Sequence, residues 1–171
     1  MPRVLIMFAV IFLTLTLQST ALSYIEIINV KPNLPLLLIV SYAHLRGDMG
    51  GAAFGFVSGL LQDLLFGRVI GLYAMLGMIA GYICGKPFKD FYKENYLIPI
   101  FLTGAACVSY EFLFYVTYFL FQGKVRIISY FGRIILPETM YTLVVTIPVY
   151  RFIYNINRRI ENHERFTRKL F

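Results

Sequence analysis

Gly47-Asp48-Met49-Gly50-Gly51-Ala52-Ala53-Phe54-Gly55-Phe56-Val57-Ser58-Gly59-Leu60-Leu61-Gln62-Asp63, continued by Gly67, Gly71, Gly77, Gly81 and Gly85, is the stretch on which the fold turns. Gly47, Gly51, Gly55 and Gly59 recur every four residues, and Gly77, Gly81 and Gly85 repeat that spacing. At about 100° per residue, steps of four keep a row on nearly one helix face, drifting roughly 40° each time. Each row therefore predicts a helix with one face bare of side chains, which lets a second backbone approach closely. Ten of the 13 glycines lie between Gly47 and Gly85, so these two helices are built differently from the rest.

The composition around this stretch says where such helices sit. Of 171 residues, 58% are hydrophobic and 15% charged, and the mean hydropathy is +0.69. Soluble domains carry roughly a quarter charged residues. The composition excludes a soluble globule and predicts an all-α integral membrane protein. At about 20 apolar residues per transmembrane helix, plus loops, the length accommodates about six spans. In lipid, packing contacts must supply helix association, and small residues at the interface provide them. The glycine rows are thus either packing surfaces within the bundle or a face turned to a partner protein.

Six spans are predicted, at about 4–23, 28–45, 49–66, 69–85, 99–121 and 134–154, forming one transmembrane domain over 1–154 with a basic cytoplasmic tail at 155–171. The first run ends in a Ser19-x-Ala21 spacing that a signal peptide also shows, but no soluble mature domain follows, so it is read as a span. The second is the weakest. Leu34 to Leu45 is too short to cross alone and needs either Ile27 to Val30 or a snorkelling Arg46. The fifth run is longer than a bilayer requires, so it either tilts or begins after Pro99. Between the fifth and sixth, basic and apolar residues mix from Gln122 to Arg133, as in a segment lying in the membrane interface.

The net charge is +7, from 16 Lys and Arg against 9 Asp and Glu. These residues lie between apolar runs and at the C-terminus, so they read as topology signals, with no nucleic-acid patch. With the N-terminus inside, 11 basic residues fall on the inner side and 5 on the outer: Lys31, Arg68, Lys124, Arg126 and Arg133. That asymmetry predicts a multi-pass protein with both termini in the cytoplasm.

Three acids lie within the spans. Asp63 continues the first glycine row and is costly in hydrocarbon, so it needs a partner or a wet cavity: it pairs with Arg68, caps the fourth helix, or serves a site. Glu111 lies among apolar and aromatic residues of the fifth span, with Tyr110 and Tyr115 as partners on its own helix. Intramembrane ionisable groups default to a functional reading. Glu138, after Pro137, sits where a helix N-terminus favours an acid. His44 is expected at the inner interface beside Arg46, with no second histidine in the membrane to complete a metal site. Cys84 and Cys107, far apart in apolar stretches, read as packing residues. No serine has a nucleophile-elbow setting and no phosphate-binding glycine motif is present, so the chain is read as non-enzymatic, with no metal and no cofactor.

The run Leu34-Pro35-Leu36-Leu37-Leu38, the turn Arg46-Gly47-Asp48, the block Gly55-Phe56-Val57-Ser58-Gly59-Leu60-Leu61-Gln62-Asp63 and the following Gly67 and Gly71-Leu72 resemble the rod shape-determining protein MreD family. The resemblance covers residues 34 to 85 in detail and the rest in outline. It implies a bacterial inner-membrane subunit of the cell-wall elongation complex, or elongasome, which binds the single-span MreC. Through MreC it would work with MreB and the RodA–transpeptidase wall synthase in rod shape and peptidoglycan synthesis. It also implies a six-helix arrangement similar to the substrate-binding subunits of energy-coupling-factor transporters. Gly55, Gly59, Asp63 and Gly71 are the residues it carries over. The other reading is a substrate-binding subunit of a vitamin or metal uptake transporter, with an outward pocket near Asp63, Glu111 or Glu138.

Overall fold

The computed structural model describes residues 2–20, 30–67, 70–86, 97–122 and 131–168, with side chains at 6–20, 30–67, 70–86, 97–117 and 131–158. Six α-helices are present and, among the described residues, no strand: α1 (Pro2–Ser19), α2 (Leu34–Arg46), α3 (Asp48–Phe66), α4 (Leu72–Gly85), α5 (Leu97–Gln122) and α6 (Leu136–Arg168). A π-helical turn, Phe131–Ile135, leads into α6. Two stretches, Asp48–Phe66 and Leu97–Thr117, are long and apolar enough to cross a membrane, and Ile6–Ser19, Leu34–Arg46 and Leu72–Gly85 are shorter apolar helices.

The second helix corrects the sequence reading most. Its described part is only 13 residues long, about 20 Å, which is less than the roughly 30 Å of a hydrocarbon core. It is buried on all sides, with Leu37, Val40, Ser41 and Ala43 at 0% exposure. A helix surrounded by other helices meets no lipid, so lipid thickness does not set its length. One core lies on each flank. Leu38, Ile39 and Leu45 pack with Ile11 and Leu15 of α1, Phe54 of α3, and Tyr150 and Ile153 of α6. Leu36, Val40 and Ala43 pack with Leu76 and Cys84 of α4, and Cys107 and Tyr110 of α5.

Local chemistry sets the ends of α2. Asn33 is the N-cap, its Oδ1 accepting from the Leu36 N–H at 3.2 Å, with Pro35 in the first turn where a missing N–H is harmless. At the other end Gly47, at φ 84°, turns the chain straight into α3. That backbone conformation favours glycine. Arg46, whose snorkelling was one of two ways for the run to reach across, donates from Nε to the Asn157 Oδ1 of α6 at 2.7 Å.

Boundaries shift elsewhere for equally local reasons. α4 begins at Leu72 because Gly71 adopts a left-handed φ of 98° just before it. α5 begins at Leu97, before Pro99, which is tolerated in a first turn whose N–H groups have no intrahelical partner. Pro137 lacks the N–H that would close an α turn onto Arg133, and the π turn occupies that position. The sixth helix does not stop at 154: α6 continues through the basic tail to Arg168, with Pro148 inside it. Of the interfacial segment expected at 122–133, residues 123–130 lie outside the described part, as do residues 21–29 between the first two helices.

Candidate functional site

The two glycine rows meet each other. α3 and α4 run antiparallel, and a Cβ at Gly51 would strike the Gly81 carbonyl oxygen, one at Gly55 the Gly77 carbonyl oxygen, and one at Gly59 the Tyr73 carbonyl oxygen. The clashes are reciprocal from Gly77 and Gly81, and Gly85 meets the backbone of Gly47 and Asp48. The seam thus extends from the turn at Gly47 to the start of α4. Such contact brings backbone dipoles and Cα–H groups together, a stabilising geometry where water is excluded. α2 closes the groove, with Ala43 against Gly51 and Ile39 against both Gly55 and Gly77. These glycine faces are therefore occupied within the chain.

Asp63 ends the seam. At 2% exposure, its Oδ1 accepts from the Tyr73 N–H at 3.1 Å and its Oδ2 from the Ala74 N–H at 2.9 Å. Gly71, the residue preceding α4, has no side chain to cap it. Asp63 supplies that cap from the neighbouring helix, satisfying the second and third N–H groups of α4 and placing a negative charge at its positive end. Gly67 ends α3 with its N–H on the Asp63 carbonyl oxygen at 2.9 Å, where a Cβ would lie 2.5 Å from that oxygen. The Asp63–Arg68 pairing falls outside the described residues, since Arg68 is not among them.

At the same end of the bundle the other two acids come together. Glu111 of α5, 8% exposed, and Glu138 of α6 are within hydrogen-bonding reach of each other, and Glu138 also reaches the Asn33 side chain. A hydrogen bond between two carboxyl groups requires a proton on one of them. Thr142 ties the group together: its Oγ1 accepts from the Asn33 N–H at 3.0 Å and donates to the Glu138 carbonyl oxygen at 2.7 Å. The Cys107 thiol, at 0% exposure, lies beside Thr139 and Thr142. Tyr73 of α4 and Tyr110 of α5 face each other, their rings 6.3 Å apart.

Glu111 and Glu138 were singled out from sequence on separate helices, and the fold brings them into one cluster with Asn33, Cys107, Thr139 and Thr142. Asn33 was not singled out from sequence, although an Asn directly before Leu34-Pro35 carries the signal of a helix N-cap. Nothing in the sequence pointed to its second contact with α6. His44, expected at the interface, is 1% exposed, its ring 6.0 Å from that of Tyr150. Among the described residues no three His, Cys, Asp or Glu side chains are grouped as a metal site would be. What the arrangement does chemically is hold helices: Asp63 joins α3 to α4, and the Asn33–Glu111–Glu138 cluster joins α2, α5 and α6.

Compared with known proteins, residues 2–160 match the family model described as rod shape-determining protein MreD. No curated protein and no solved structure matches the chain.

Proposed function

The chain belongs to the rod shape-determining protein MreD family, a family of membrane proteins with a structural part in shape determination, and from that premise we propose that it is a non-enzymatic subunit of the bacterial cell-wall elongation complex. In this reading it binds MreC and through it bears on MreB and the RodA–transpeptidase synthase, helping to control rod shape and peptidoglycan synthesis. The helices form a multi-pass bundle in the cytoplasmic membrane, with α2 enclosed within it, and both termini face the cytoplasm. The observation that carries the reading is the family match across residues 2–160. The orientation is supported by 11 basic residues on one side against 5 on the other.

In this reading the partner does not use the glycine faces. Both glycine rows are used between α3, α4 and α2. A partner span would therefore contact outward faces, such as the exposed Phe56 and Leu64 of α3 or Met140 and Val144 of α6.

The test is complementation with co-purification. In a rod-shaped bacterium depleted of its own family member, this chain should restore cell width and recover MreC from detergent extracts. Rounded cells together with no MreC recovered, from a strain in which the protein is present at normal level in the membrane, would overturn the proposal.

A further inference from the structure

α4 packs against α3 and α2 along its glycine face but leaves a gap on its other flank. Between α4 and α5 runs an apolar groove of about 170 Å³, walled by Ile79, Ala80 and Ile83 on one side and Leu102, Ala106 and Leu113 on the other. Its outer side is open, with Ile79 39%, Ile83 58% and Leu113 43% exposed. An apolar space open to a bilayer does not fill with water, and left empty it forfeits the dispersion contacts of its whole lining. A helix about 10 Å across is too wide for a space of this volume. An extended hydrocarbon chain is not.

Charge sits at one end. Lys86 follows Ile83 and Cys84 at the close of α4, exposed, with its Nζ held 4.5 Å from the centre of the Tyr82 ring. In sequence Lys89 and Lys93 come next, so that with Lys86 three lysines stand against Asp90 and Glu94. An apolar slot whose last α4 wall residue, Cys84, is followed two positions on by an exposed lysine has the chemistry of one ligand class. We propose that the α4–α5 groove holds an acyl chain of an anionic phospholipid whose headgroup phosphate is held by Lys86. This goes beyond the family role and does not depend on MreC binding.

The chain contains no tryptophan, so one introduced at Ile79 is a unique reporter of what lies in the groove. Ile79→Trp protein is reconstituted in phosphatidylcholine vesicles carrying phosphatidylglycerol with brominated acyl chains, and in the reverse mixture. One lysine at a membrane surface is expected to give about a fivefold preference for the anionic lipid in quenching. Adding Lys86→Gln should bring the ratio to about one, and Phe56→Trp on α3 should show no preference from the start. Ala106→Phe should remove the tightly held component. If that variant does not fold, the Ile79→Trp and Lys86→Gln pair still decides.

Equal quenching by both lipids at Ile79→Trp, or a preference that survives Lys86→Gln, would overturn the proposal. So would a protein adduct, in place of a lipid adduct, from a photo-crosslinking residue placed at Ile83 in cells.

Discussion

At Asp63 two carboxylate oxygens serve two backbone N–H groups of a different helix, so the residue is held by geometry as much as by charge. Asp63→Ala would leave the Tyr73 and Ala74 N–H groups without acceptors. Loss of a cap costs about 0.5–2 kcal/mol, and the burial places this site at the upper end. Asp63→Asn keeps one acceptor oxygen and should lose less. Thermal unfolding in detergent checks the order, and faster amide exchange at Tyr73 and Ala74 in the alanine variant checks the cause. The glycines form a graded series on the same scale. Gly132→Ala meets nothing within 4 Å, Gly104→Ala meets the flexible Leu143 side chain at 3.3 Å, and Gly55→Ala meets the carbonyl of Gly77. Melting temperatures should be unchanged, slightly lowered and sharply lowered, in that order. Equal values for the first and last would show that α3 and α4 do not meet at that seam.

Among the elements, α2 shows how far a sequence can be read. The four-residue glycine spacing already announces two bare helix faces, because it is a property of one helix and of the drift per step. Which surface meets a bare face is a property of two helices, and here the turn at Gly47 folds Gly51 and Gly55 back under Ala43 and Ile39. The run Leu34 to Leu45 failed a test of span length that assumes lipid on the outside. Its actual neighbours are side chains from α1, α3, α4, α5 and α6. In the same way Glu111 and Glu138 were legible as misplaced charges, but their meeting depends on how α5 lies on α6. One consequence is measurable at the joint between α2 and α6. Arg46→Gln and Asn157→Ala should each destabilise, and the double variant should lose less than their sum, with a coupling of about 0.5–3 kcal/mol. Strict additivity in chemical or thermal unfolding would mean that the 2.7 Å contact carries no energy.

On the scale of the molecule, the last helix is longer than a bilayer is thick. Its 33 residues extend about 50 Å against roughly 30 Å of hydrocarbon. Its early turns, where Thr142 and Thr146 are 0% exposed, are locked into the bundle. Its later turns hold Arg158, Arg159, Arg165 and Arg168. The native thiols, at 5% exposure for Cys84 and 0% for Cys107, should stay silent to a membrane-impermeant maleimide, leaving a quiet background for introduced cysteines. In inside-out vesicles Asn162→Cys should label and Thr142→Cys should not. Labelling at Asn162→Cys only from the opposite face would reverse the proposed orientation.

The enclosed position of α2 also bears on how the protein is made. Thirteen residues are a poor substrate for an insertion machinery that selects segments by length and apolarity as they leave the ribosome. Its fit depends on α3 and α4, which have not been synthesised when it emerges, and on α5 and α6, which come later still. Membrane integration and tertiary assembly are therefore expected to overlap for this chain. The second helix is expected to settle only once the glycine hairpin that follows it gives it somewhere to lie.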